Sequence, residues 1–175
     1  MTITKMDAMR RQVLTAVKLW FDDRDPVAIH TLLFASHEIL HTLFRQRGHE
    51  HLMFDSPAVR PQYRKEWATA LREAGTFFKR ARADPTSTLE FNRNLNEMYL
   101  LFSIYGLNQM GEVIAQEEQA FMHWMFVNRP EVLNEGAYDS YSIEQIEKLR
   151  GVSKKEFFHQ AVIAYRIKRE GNTRL

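Results

Sequence analysis

The chain has 175 residues, 45% of them hydrophobic and 12% aromatic, which is enough apolar material to bury a core and too much for a disordered segment. Its 24 Lys and Arg stand against 22 Asp and Glu, so the net charge of +2 permits an RNA partner without indicating one. The absence of cysteine excludes a disulfide framework and thiolate chemistry, and the charges scattered through Met1–Leu14 leave no apolar signal-peptide core. With no uninterrupted apolar run of about 20 residues, the expectation is a soluble, cytoplasmic protein with no membrane partner.

In chain order, Met6, Met9, Val13, Ala16, Val17 and Trp20 recur at helical spacing and predict a first helix from Lys5 to Phe21. Asp25 then reads as an N-cap, and Pro26 as the first helical position, where a missing N–H costs nothing. The second helix runs to about Arg47 and stops at Gly48. Residues 48–60 read as a loop. Pro61 opens a third helix with Tyr63, Trp67, Ala70, Leu71, Ala74 and Phe78 on one stripe, and Gly75 weakens its end. A turn cluster at Asp84–Thr88 and an extended Leu89–Asn92 follow. The fourth helix, about Asn94 to Met110, is so apolar that it belongs at the centre. A fifth spans about Glu112 to Val127. Ser142 caps a short helix that Gly151 ends, and Ser153–Glu156 is a capping-box pattern opening a last helix to about Arg169. The expectation is an all-α bundle of about five main helices plus one or two short C-terminal ones, in a single domain over residues 1–175.

The second helix carries the one local signature of chemistry. His37-Glu38-Ile39-Leu40-His41 spells H-E-x-x-H. Histidines four apart on a helix lie one above the other, so both can reach one zinc ion, with the Glu as base on its bound water. In that reading His37 and His41 are metal ligands, Glu38 is the catalytic base, and His30 and Glu66 are further candidate ligands. No histidine stands six after His41, where Arg47 is, and no strand is expected beside the helix to align a substrate. On a helical wheel His30, His37 and His41 line up along the border of the apolar face formed by Ile29, Leu33, Leu40 and Phe44. Such a row equally suits side chains that merely cover a core. A second cluster, Phe77-Phe78-Lys79-Arg80-Ala81-Arg82, pairs aromatics with cations: Lys79, Arg80 and Arg82 are candidate RNA or anion contacts, or simply solvated charges at a helix end. Glu117 and Glu118 lie five and six residues before His123, which does not match the Glu-x-x-His spacing of a di-iron bundle.

Taken together, Asp25–Leu32, Glu38–Leu40, Phe77-Phe78-Lys79, Leu89–Asn92, Trp124 and Asn128–Glu131 resemble a group of small bacterial all-helical proteins of unassigned activity. The resemblance covers about residues 8–135 and leaves about residues 140–170 as a helical extension. In that group the third-helix segment reads Asn-Phe-Phe-Lys-His-Ala-Asp, an Asn…His spacing similar to that of HEPN-type bundles, many of them RNases or partners of toxins and nucleotidyltransferases. Here Thr76 and Arg80 stand at those two positions. HEPN nucleases also carry an Arg a few residues before a His. Arg45 with His51, and Arg24 with His30, meet that spacing. The resemblance implies a non-enzymatic or pseudo-enzymatic interaction module, without a cofactor, acting on a protein partner, a second copy of itself, or RNA. The alternative is a zinc-dependent hydrolase built on the H-E-x-x-H string.

Overall fold

The computed structural model describes residues 1–57, 59–80, 85–129 and 143–172, with side chains of the last stretch described over 146–167. Ser142 and Arg82 lie outside the described residues, as do Asp84 and the segment 130–141. The protein is all-α: seven α-helices and two single-turn 3-10 segments, with no strand among the described residues. The helices are α1 (Lys5–Phe21), α2 (Pro26–Gln46), α3 (Arg64–Phe77), α4 (Leu95–Gln109), α5 (Gln116–Asn128), α6 (Ile143–Arg150) and α7 (Lys154–Asn172). They group into two compact units, one holding residues 1–20 and 24–113, the other residues 21–23 and 114 onward.

In the first unit α2 starts where expected. Asp25 Oδ1 accepts from the backbone N–H groups of Val27 and Ala28, each at 2.9 Å, which satisfies two of the orphan donors of the first turn. Gly48 at φ +86° ends it, in a left-handed conformation that a residue with a Cβ adopts only at a cost. By length and composition α2 could cross a membrane. Here Ile29, Leu33, Phe34, Leu40 and Phe44 are buried, and the helix packs chiefly on α4 and then on α3. α4 presents Asn96, Tyr99, Leu100, Ser103, Ile104 and Leu107 to the interior. α1 adds Met9, Val13, Ala16, Val17 and Trp20 to the core of its unit. Its Arg10 reaches Glu112 Oε2 at 3.1 Å while Arg47 holds Glu112 Oε1 at 3.0 Å.

Three sequence expectations are corrected. The third helix does not open at Pro61: a 3-10 turn, Pro61–Tyr63, leads into it, and α3 begins at Arg64. Of its expected stripe, Leu71 and Ala74 are buried, but Tyr63 and Ala70 face solvent. The loop 48–60 contains a second 3-10 turn, Met53–Asp55, whose Met53 and Phe54 are buried against α3. The fifth helix starts at Gln116, not Glu112, because Gly111 takes φ +75° and the Glu118 carboxylate accepts from the Ala115 N–H at 2.7 Å, fixing the first turn there.

The second unit packs α5 on α7, with α6 beside α5. Phe21 stacks on Phe158 with ring centroids 4.6 Å apart and meets the edge of Phe121. Lys154 reaches Asp23 at 3.1 Å, and Arg150 Nε donates to the carbonyl of Val127 at 2.7 Å. α7 opens at Lys154, just after Ser153 as expected, and runs to Asn172, three residues beyond the expected end near Arg169.

Gly75, read from sequence as a weak point, is a close-approach position. A Cβ there would collide with Cγ and both Cδ atoms of the Phe34 ring of α2. Because the clash falls at the base of the ring and not at a flexible tip, α2 and α3 would have to separate. Gly75→Ala is therefore expected to destabilise the protein by about 1–3 kcal/mol, read as a lowered urea midpoint at unchanged slope.

Candidate functional site

The three histidines of α2 face inward. His30 is fully buried, and its Nδ1 lies 2.9 Å from Asn96 Oδ1 on α4. The Asn96 amide nitrogen donates to the carbonyl of Pro26 at 3.0 Å, which turns the amide oxygen toward the imidazole. Nδ1 therefore carries the proton and Nε2 is left bare, an assignment that follows from the network. The rings of Phe78, Phe91 and Tyr99 stand edge-on to His30 at 5.8, 5.1 and 5.0 Å. Burial pushes the His30 pKa down, and the Asn96 hydrogen bond opposes it only in part.

His37 is also fully buried. Its Nδ1 is 3.4 Å from Ser103 Oγ, and its ring meets Phe54 at 4.8 Å and Tyr99 at 5.4 Å. Burial first, and then the nearby His41 and Arg72, bring its pKa down to about 3, while Asp55 pulls the other way. Tyr99 is locked by its hydroxyl, which donates to the Leu71 carbonyl at 2.8 Å, and burial pushes its pKa up. His41, one turn on, is partly exposed. Its Nε2 is 3.4 Å from Asp55 Oδ1, within ion-pair distance but without hydrogen-bond geometry.

The other candidates lie elsewhere. Glu38 is about half exposed, its Oε1 3.6 Å from Arg72 Nε. The Arg72 guanidinium lies 4.0 Å from the Phe54 ring centroid. Glu66 is exposed on the outer side of α3, where it lines an open groove of about 1040 Å³ with Lys65, Arg72, Glu73, Thr76 and Arg80. His49 stacks on Phe44, and His51 lies 3.8 Å from Glu50. Among the described residues, no three His, Asp or Glu side chains are placed as they stand to hold a metal ion. Of the three cations, Lys79 lies 4.2 Å from the Phe34 ring centroid, Arg80 lines the groove, and Arg82 is outside the described residues.

No family model, curated protein or solved structure matches this chain. Asp55 is the residue that sequence reasoning overlooked. It is held by accepting from the Leu52 N–H at 2.8 Å, and that three-residue spacing is visible in the sequence. Its approach to His41 is not visible there, because it depends on how the 3-10 turn docks beside α2.

The buried histidines make the fold sensitive to acid. In the unfolded chain both titrate near pH 6.5, while the folded interior resists protonation. Below that pH the unfolded state binds more protons, so stability is full above about pH 7 and falls as pH drops toward 3. Urea midpoints measured in EDTA should decline across that window, and His37→Leu should give a shallower decline.

Proposed function

We propose that the chain is a non-catalytic helical interaction module that acts by protein contact through α7, its partner being a second copy of itself. The observation that carries this reading is an exposed apolar pair on α7 beside an apolar groove between α7 and its neighbours. Ile163 and Ile167, one turn apart, are 41% and 65% exposed. Beside them runs a mainly apolar groove of about 340 Å³ lined by Leu149, Phe157, Ala161, Ala164 and Tyr165, together with His123 and Gln160. Isolated exposed apolar side chains are ordinary. A projecting pair next to an apolar hollow is different, because a two-fold axis lets each copy insert its isoleucines into the other's groove.

Binding is favoured over turnover by the position of Glu38. A hydrolase on the H-E-x-x-H string needs that carboxylate beside a metal-bound water, and here it lies on the half-exposed side of α2 near Arg72. The resemblance to HEPN-type bundles supports the same conclusion, since Thr76 and Arg80 occupy the positions of its Asn and His.

Sedimentation velocity over a concentration series tests the proposal. The wild-type chain should move from monomer to dimer as concentration rises. Ile163→Glu combined with Ile167→Glu should remain monomeric with an unchanged helical circular dichroism spectrum, because a charge buried in the interface is unpaired. A wild-type protein that stays monomeric throughout the series would sink the reading.

A further inference from the structure

The apolar groove beside Ile163 and Ile167 has an ionisable group in its lining. His123 of α5 lies there, half-buried, its ring 5.4 Å from that of Phe157 and 6.5 Å from that of Tyr165, and steeply inclined to both. Phe157 and Tyr165 stand about two turns apart on α7. Between them α7 contributes Gln160 and the small side chains of Ala161 and Ala164 to the lining. An apolar side chain entering this hollow displaces water from the imidazole. A neutral imidazole tolerates that loss, whereas an imidazolium does not unless an anion replaces the water.

The described lining supplies no anion. Besides His123, Tyr165 is its one titratable residue, and a phenol carries no charge near neutrality. The described charged side chains of the elements packed on α5 lie outside the lining. On α6 these are Glu147, Lys148 and Arg150, the last turned to the Val127 carbonyl. On α7, Lys154 holds Asp23, Glu156 accepts from the Gln160 amide at 2.8 Å, and Lys155, His159 and Arg166 are exposed. Asp22, beside Phe21, is exposed too. On α5 itself Glu117 and Glu118 belong to the first turn, where Glu118 accepts from the Ala115 N–H, and Arg129 is the C-cap. Burial pushes the His123 pKa down even before anything enters the groove.

We propose that His123 makes self-association through α7 pH-dependent: two copies dock while both imidazoles are neutral and part when they are protonated. This rests on the α7 reading above and adds its regulation. Insertion of the partner's isoleucines buries the imidazole further, so protonation is harder in the dimer than in the monomer. Such a group stabilises the dimer above the monomer's pKa, and that stabilisation is lost as pH falls through the dimer's lower one. Both lie below the ordinary histidine value of about 6.5. With one His123 per copy, two protons enter as the dimer parts, so Kd rises by at most about a hundredfold per pH unit in that window.

Sedimentation velocity of the tag-free, full-length chain at about pH 8 and about pH 5, on either side of an ordinary histidine, tests this, with the helical circular dichroism spectrum followed at both. The wild-type Kd should be at least about tenfold higher at the lower pH. His123→Gln should give one Kd at both. His159 lies one turn before the exposed Ile163 and is the competing histidine, so His159→Gln should keep the wild-type response. A wild-type dimer with an unchanged Kd, a response that survives His123→Gln, or one abolished by His159→Gln overturns the proposal and leaves the α7 reading standing. A wild type that is monomeric at the higher pH removes both. Where His123→Gln fails to fold, proton NMR of the wild-type His123 ring decides the matter. Its titration midpoint should fall from dilute to concentrated protein, and an unmoved midpoint overturns the proposal.

Discussion

The seam between α2 and α4 is the constraint on which the first unit depends, and it is polar at two points. The Nδ1 atoms of His30 and His37 both turn toward α4, to Asn96 at 2.9 Å and to Ser103 at 3.4 Å. Asn96 also bonds the carbonyl of Pro26, so the first turn of α2 is tied to the first turns of α4. Apolar burial alone allows neighbouring helices to slide, since one aliphatic contact resembles another. A buried imidazole facing an amide oxygen has one good position, and slippage would strand both groups. The aromatic side chains around this seam, Phe54, Phe78, Phe91 and Tyr99, exclude water and make that cost effective.

Much of the fold was legible in the sequence. The Asp25-Pro26 start, the Gly48 stop and the apolar density of α4 each state a local rule that the structure obeys. The errors came where tertiary contact overrode local pattern. Tyr63 has the right spacing for the α3 stripe, but the 3-10 turn before Arg64 rotates it into solvent. Gly75 reads as a helix weakener when considered alone, and as a requirement once Phe34 is opposite it.

The candidate site was legible in part. Periodicity places His30, His37 and His41 in one row, and the row exists. It does not say that the row is covered by α4 and by the turn Met53–Asp55, so the histidines read as a border when two of them are interior. Glu66 stands apart from the row for a related reason. Its sequence position on α3 leaves open which side of that helix meets α2, and it is the other side that does.

The placement of Lys79 changes what the cation run after Phe78 amounts to. Its ammonium rests over the Phe34 ring of a neighbouring helix, where the face of the π-system attracts it. A positive charge engaged in this way is part of how α3 is fastened down, and a polyanion would have to compete with an aromatic ring to recruit it. Adjacent cations in a sequence therefore need not add up to one electropositive surface.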